Sequence, residues 1–85
     1  MKRSFCGSFA SCDCFVEITE ASACTYTIDS VVDVFFHDQI EQVIVNVLNE
    51  FNHPLIHVKL TDKGAFDYTI EARLRTALER YYHET

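Results

Sequence analysis

Apolar and polar positions alternate with a period of two in three segments of the chain, and this pattern predicts three β-strands. The inward-facing sets are Cys14, Val16 and Ile18; alternate positions of Cys24–Ile28; and Ile56, Val58 and Leu60. A short turn at residues 20–22 separates the first two segments. We therefore predict that these two strands pair with each other as a hairpin that has one buried face.

Between and after these strands the apolar period changes to three and four residues, which is the spacing of amphipathic helices. The first stripe consists of Phe36, Ile40, Val43, Ile44, Val47, Leu48 and Phe51, and the second of Ile70, Leu74, Ala77, Leu78 and Tyr81. Ser30, with Asp33 three residues later, is predicted to cap the first helix, and Pro54 to end it. Asp62 and Asp67 are predicted to cap the second helix.

The element order β-β-α-β-α predicts an α+β fold, in which one short sheet has two helices packed on one of its faces. A chain of 85 residues has room for a single domain with a modest core. Residues 1–13 show neither period, and we expect them to form a flexible N-terminal arm. Residues 14–85 are expected to form the compact domain.

The charge of the chain narrows the range of partners. There are 13 acidic and 7 basic side chains, which give a formal net charge of -6. Nucleic acid and anionic membranes bind cationic surfaces, so neither is expected as a partner. An acidic surface instead suits docking onto a basic protein surface. The N-terminal residues do not resemble a signal peptide and no apolar run approaches a membrane span, so a cytoplasmic location is expected.

Residue types that support catalysis or metal binding are present, but their spacing does not match such sites. The cysteines follow the pattern C-x5-C-x-C-x9-C, unlike the paired knuckles of a zinc site, and we expect free thiols in a reducing compartment. Pro54 separates His53 from His57 and prevents a shared helical face. We expect no metal site and no catalysis by this chain alone. A redox or metal-binding role of the cysteines is kept as an alternative.

The N-terminal arm points to a different role, that of a group carrier. A carrier needs an accessible hydroxyl, a mobile backbone around it and a rigid body that partners recognise. The segment Gly7–Asp13 contains Ser8 and Ser11 among small side chains. Such arms are common, so composition alone does not select this function.

The stretch from Asp62 to Leu78 resembles a known family. It reads D-K-G-A-F-D-Y-T-I-E-A-R-L-R-T-A-L and is similar to the DKGALDxxIxARxxxAL signature of citrate lyase acyl carrier proteins, the gamma subunits. The segment that begins at Ser30 is similar to the family's S-V-x-x-x-F-x-D-x-I, and the arm falls at the family's A-G-T-L-E-S-S-D. The likeness extends from about Phe5 to Tyr81.

This resemblance implies that residues 14–85 are an acyl carrier domain and that the arm carries the attachment serine, Ser11. The implied cofactor is 2'-(5''-phosphoribosyl)-3'-dephospho-coenzyme A, bound to Ser11 through a phosphodiester. It would hold an acetyl or citryl thioester during the cleavage of citrate to acetate and oxaloacetate. The implied partners are the citrate lyase alpha and beta subunits and the transferase that attaches the prosthetic group.

The arm departs from the family pattern at two positions. Ala10 stands in place of a glutamate and Cys12 in place of the second serine. Ser8 is the weaker acceptor, and Ser30 is a rival because its Asp-Ser-Val triplet is similar to the site of ordinary phosphopantetheine carriers. Two alternative functions are the acyl carrier of malonate decarboxylase and a protein-interaction module with no covalent group.

Overall fold

The computed structural model describes residues 2–31 and 33–83, without the side chains of residues 33–35. The elements are β1 (Arg3–Gly7), β2 (Cys14–Glu20), β3 (Thr25–Ser30), α1 (Asp33–Glu50), β4 (Ile56–Asp62) and α2 (Asp67–His83). The α+β class is confirmed, with one strand more than the sequence pattern predicts.

The four strands form one sheet in the order β1-β2-β4-β3. β2 pairs antiparallel with both β1 and β4, whereas β3 and β4 are parallel and are joined through α1. Cys14 at the start of β2 and Ser30 at the end of β3 both lie opposite Asp62, the last residue of β4. The loop from β1 to β2 therefore lies at the same end of the sheet as the residues that lead into both helices.

The predicted hairpin between the first two alternating segments is wrong. β4 lies between β2 and β3, so these two strands make no ladder with each other. A period of two identifies the buried face of a strand but not its neighbour in the sheet. β4 takes the central place with Ile56, Val58 and Leu60 almost fully buried on one face.

The prediction of an irregular arm is wrong for residues 3–7, which form the edge strand β1. Ser4 and Cys6 point inward, and the Ser4 hydroxyl donates a 2.7 Å hydrogen bond to the carbonyl of Ala77 in α2. Gly7 ends the strand with φ +105°, and a Cβ there would lie 1.9 Å from the carbonyl oxygen of Cys14. Only glycine fits this close approach.

Both helices pack on the same face of the sheet, as predicted, and their apolar stripes join the inward side chains of β2 and β4 in one core. All five residues of the predicted α2 stripe are buried. In α1, Ile40, Ile44, Val47 and Leu48 of the predicted stripe are buried and Val43 is partly buried. Phe51 packs against the core just after the helix ends, and Phe36 is 45% exposed. Within the two described ranges of the chain, no helix has the length and apolar character needed to cross a membrane.

The predicted helix caps have different outcomes. Asp67 lies in the first turn of α2, where its negative charge is favourable near the helix N-terminus. Asp62 does not cap the helix, because its Oδ1 accepts the Ala65 N–H inside the preceding turn. Ser30 is the last residue of β3. The side chain of Asp33, its predicted capping partner, lies outside the described residues, so this cap stays a prediction.

Candidate functional site

Ser11 lies in the loop of residues 8–13 that connects β1 to β2, which we call the Ser11 loop. The Asp13 N–H donates to the Ala10 carbonyl at 3.2 Å, which makes Ser11 and Cys12 the two central residues of a tight turn. Both side chains are exposed. The Ser11 hydroxyl lies 3.8 Å from the Cys12 sulfur, a weak contact that leaves it accessible from solvent.

The backbone after Ser11 is fastened to the turn before α2. The Cys12 N–H donates to the Lys63 carbonyl at 2.8 Å, and the Lys63 N–H donates to the Asp13 carbonyl at 2.9 Å. Cys12 has φ +64°, a left-handed conformation that costs a non-glycine residue about 1 kcal/mol and persists only where the surroundings impose it. The loop is therefore anchored at residues 12–13, while its tip projects outward.

Asp13 organises the side chains of the loop. Its carboxylate accepts the Ser8 hydroxyl at 2.7 Å, the Cys14 N–H at 2.8 Å, and Nε and Nη2 of Arg73 at 3.0 and 3.3 Å. The Ser8 hydrogen bond, followed by those from Arg73 and Cys14, lowers the pKa of Asp13 to about 2. The loop is thus built around an ionised carboxylate.

The other serines differ from Ser11 in their surroundings. The hydroxyl of Ser8 donates to Asp13, and that of Ser30 donates to the buried Asp62 at 2.8 Å. Ser4 is buried under α2. Ser22 is exposed, but it follows β2 at the opposite end of the sheet. Ser11 is therefore the exposed serine of the loop that resembles the attachment segment of the family.

The cysteines differ in accessibility, and those in the described ranges are unpaired thiols. Cys6 and Cys14 are buried, and burial, aided by the Asp13 and Asp62 charges, raises the pKa of Cys14 to about 12. Cys24 is half-buried and burial raises its pKa as well. Cys12 alone among the four is exposed. Among the described side chains, no three His, Cys, Asp or Glu residues lie close enough together to hold a metal ion.

An apolar groove of about 470 Å³ is lined in part by Asp62, Gly64 and Ala65 of the turn that anchors the Ser11 loop. The side chains of Phe36, Phe66 and Tyr68 line it and are 45%, 63% and 71% exposed. The Phe66 and Tyr68 rings stack with centroids 5.4 Å apart. These exposed rings form an apolar surface next to the turn that anchors the Ser11 loop.

Comparison with known proteins gives the family. Residues 1–81 match the acyl carrier family model described as malonate decarboxylase delta subunit (MdcD). A citrate lyase acyl carrier protein of Treponema denticola is 37% identical over 79 residues, which cover 93% of this chain and 91% of that relative. The chain belongs to the citrate lyase acyl carrier protein family. The resemblance seen in the Asp62–Leu78 stretch is therefore confirmed.

Other members of the citrate lyase acyl carrier protein family are similarly related. The protein of Pectobacterium atrosepticum is 36% identical over 94% of this chain and 84% of its own length. A crystal structure titled as a Pseudomonas malonate decarboxylase hetero-tetramer in complex with malonate contains a chain with a TM-score of 0.81 and 15% sequence identity. The match covers 94% of this chain and 84% of that one, and at this identity it shows a shared fold.

The sequence predicts Ser11 in an N-terminal arm but does not reveal the contacts that anchor the loop around it. The anchors are Lys63 and Arg73, which lie about 50 and 60 residues further along the chain. Both belong to the stretch that carries the family resemblance, as Asp13 belongs to the attachment segment. The family resemblance therefore marks both segments as important. It does not show that they contact each other.

Proposed function

We propose that this chain is the acyl carrier subunit of citrate lyase and that Ser11 is its attachment residue. Family membership supports the carrier role. The observation that supports the site is the exposed Ser11 hydroxyl at the tip of a loop whose base is anchored by backbone hydrogen bonds. A carrier subunit needs no substrate pocket of its own. Its task is to keep a bound acyl group at high local concentration near partner active sites.

The residues around Ser11 fit the proposed 2'-(5''-phosphoribosyl)-3'-dephospho-coenzyme A group. The Ser11 hydroxyl faces solvent, so a bulky phosphodiester meets no side chain of the core. When bound, the group supplies a terminal thiol that holds acyl groups as thioesters. Ser11 would anchor it, and the bonds of Asp13, Lys63 and Arg73 would fix the base of the tether relative to the domain.

The proposed partners are the citrate lyase alpha and beta subunits and a prosthetic-group transferase. The net charge of -6 favours basic partner surfaces. The exposed rings of Phe36, Phe66 and Tyr68 add apolar area for a partner next to the turn that anchors the Ser11 loop. A cytoplasmic location and the absence of catalysis by the chain alone stay predictions.

Attachment can be tested by producing the chain together with the transferase and measuring the intact mass. We expect one adduct on the unaltered protein, none on Ser11→Ala, and the full adduct on Ser8→Ala and Ser22→Ala. Peptide mapping should place the adduct on the Ser11 peptide. An undiminished adduct on Ser11→Ala would refute this site, and an adduct on Ser30 would support the rival acceptor.

A second candidate function is the acyl carrier subunit of malonate decarboxylase. The description of the matching family model and the fold shared with a chain of a malonate decarboxylase hetero-tetramer favour it. The two candidates differ in their partners. Binding of the modified chain to purified citrate lyase subunits, compared with malonate decarboxylase subunits, distinguishes them, and we expect the tighter binding to citrate lyase.

A further inference from the structure

The Asp13 carboxylate joins the two ends of the Ser11 loop to each other and to α2, which lies 60 residues further along the chain. It receives Ser8 from the start of the Ser11 loop, the Cys14 N–H from β2, and Arg73 from α2. Arg73 makes two hydrogen bonds to it, one to each carboxylate oxygen. Such two-point pairing between guanidinium and carboxylate fixes orientation as well as distance.

The same loop contains a backbone conformation that needs support. Cys12 follows Ser11 directly, and its φ of +64° is one that glycine or asparagine usually adopts. The paired bonds between residues 12–13 and Lys63 hold this turn from one side. The Arg73 pair holds the Asp13 side chain, whereas Lys63 holds the backbone. Without both, the loop would relax into several conformations and the Ser11 hydroxyl would point in several directions.

We propose that Arg73 is a positioning residue that presents the Ser11 hydroxyl in one geometry to the enzyme that attaches the prosthetic group. This inference rests on the proposed function of Ser11. The attachment step uses a donor that is a triphosphate ester of the prosthetic group. The Ser11 Oγ bonds to its α-phosphorus as the bond from that phosphorus to the departing diphosphate breaks. The hydroxyl proton passes to a base of the transferase. Arg73 touches none of these atoms and acts through Asp13.

A preformed loop lowers the entropy that the transferase must remove when it binds the carrier. Loss of the Arg73 pair should therefore weaken binding of the carrier to the transferase more than it slows the transfer reaction itself. We expect Arg73→Gln to raise the half-saturating carrier concentration roughly tenfold and to change the maximal rate less than about twofold. Arg73→Lys keeps the charge but not the two-point geometry, so it should recover part of the loss.

Arg75 provides a matched control on the same helix. It is also ion-paired, but with Glu71 and Glu50, away from the Ser11 loop. Arg75→Gln should therefore leave the half-saturating concentration unchanged. Transfer rates would be measured on the unmodified protein and the three variants by intact mass over time, at a series of carrier concentrations.

Hydrogen exchange of the unmodified chain gives a second readout that does not depend on the transferase. The amides of Cys12 and Lys63 should exchange about tenfold faster in Arg73→Gln and unchanged in Arg75→Gln, because local opening becomes easier. Faster exchange together with weaker recognition supports the inference. The inference is overturned if Arg73→Gln accepts the prosthetic group with wild-type kinetics, or if Arg73→Gln and Arg75→Gln change the half-saturating concentration equally. In either case the proposed function stands. No adduct on Ser11 of the unaltered protein would overturn both.

Discussion

Replacing Asp62 with alanine removes a carboxyl group that ties the end of β3 to the turn before α2. Asp62 is 1% exposed. Its Oδ2 accepts the Ser30 hydroxyl at 2.8 Å and its Oδ1 accepts the Ala65 N–H at 2.9 Å. The next residue, Lys63, makes both backbone bonds to the Ser11 loop. Asp62 therefore supports the turn on which that loop is anchored.

The magnitude follows from these two hydrogen bonds. Each bond to a carboxylate contributes about 1.5–3 kcal/mol, and releasing a buried carboxyl from its apolar surroundings returns part of the sum. We expect Asp62→Ala to lower the free energy of unfolding by about 3 kcal/mol. For a domain of this size that corresponds to a Tm lower by roughly 12–24 °C.

Urea unfolding followed by circular dichroism measures this effect, and two variants serve as comparisons. Asp62→Asn keeps one acceptor oxygen and the shape of the side chain, so its effect should be about half as large. Asp67→Ala removes an exposed carboxylate from the first turn of α2 and should change stability by only about 0.3–1 kcal/mol. An Asp62→Ala variant no less stable than Asp67→Ala would refute the role assigned to Asp62.

Three further predictions concern the Ser11 loop and its ends. Gly7→Ala should destabilise the protein by more than about 2 kcal/mol in thermal unfolding, since its Cβ would collide with the Cys14 carbonyl; a neutral effect would contradict the geometry. A thiol reagent should label Cys12 quickly in the native protein and the buried Cys14 only upon unfolding, which mass mapping can follow. Asp13→Asn should destabilise by about 1 kcal/mol at pH 7. Because folding lowers the pKa of Asp13 to about 2, this difference should be full above about pH 5, shrink as the pH falls and be lost below about pH 2, as urea midpoints would show.

The periodic segments were predictable because burial repeats along them. The stripe of α2 from Ile70 to Tyr81 and the inward face of β4 follow directly from apolar spacing, and both are confirmed. β1 was missed because its inward residues are Ser4 and Cys6, while the large ring of Phe5 faces outward. Small inward side chains and a large outward ring do not give the usual alternation of a half-buried strand, so the period gives no signal.

Contacts between distant segments were not predictable from one sequence. Consecutive strands usually pair, which predicted that β2 pairs with β3. In the structure β4, which follows both in the chain, lies between them. The ion pair between Asp13 and Arg73 joins residues 60 positions apart. The choice of Ser11 as the attachment residue comes from the family resemblance, whereas the contacts that anchor its loop are visible only in the structure.

The central claim is that the Ser11 hydroxyl carries the prosthetic group. The most direct test is peptide mapping by mass spectrometry of the protein purified from its native host together with its partner subunits. We predict a single adduct with the mass of the phosphoribosyl-dephospho-coenzyme A group on the peptide that contains Ser11. An active complex in which that peptide has its unmodified mass would contradict the account.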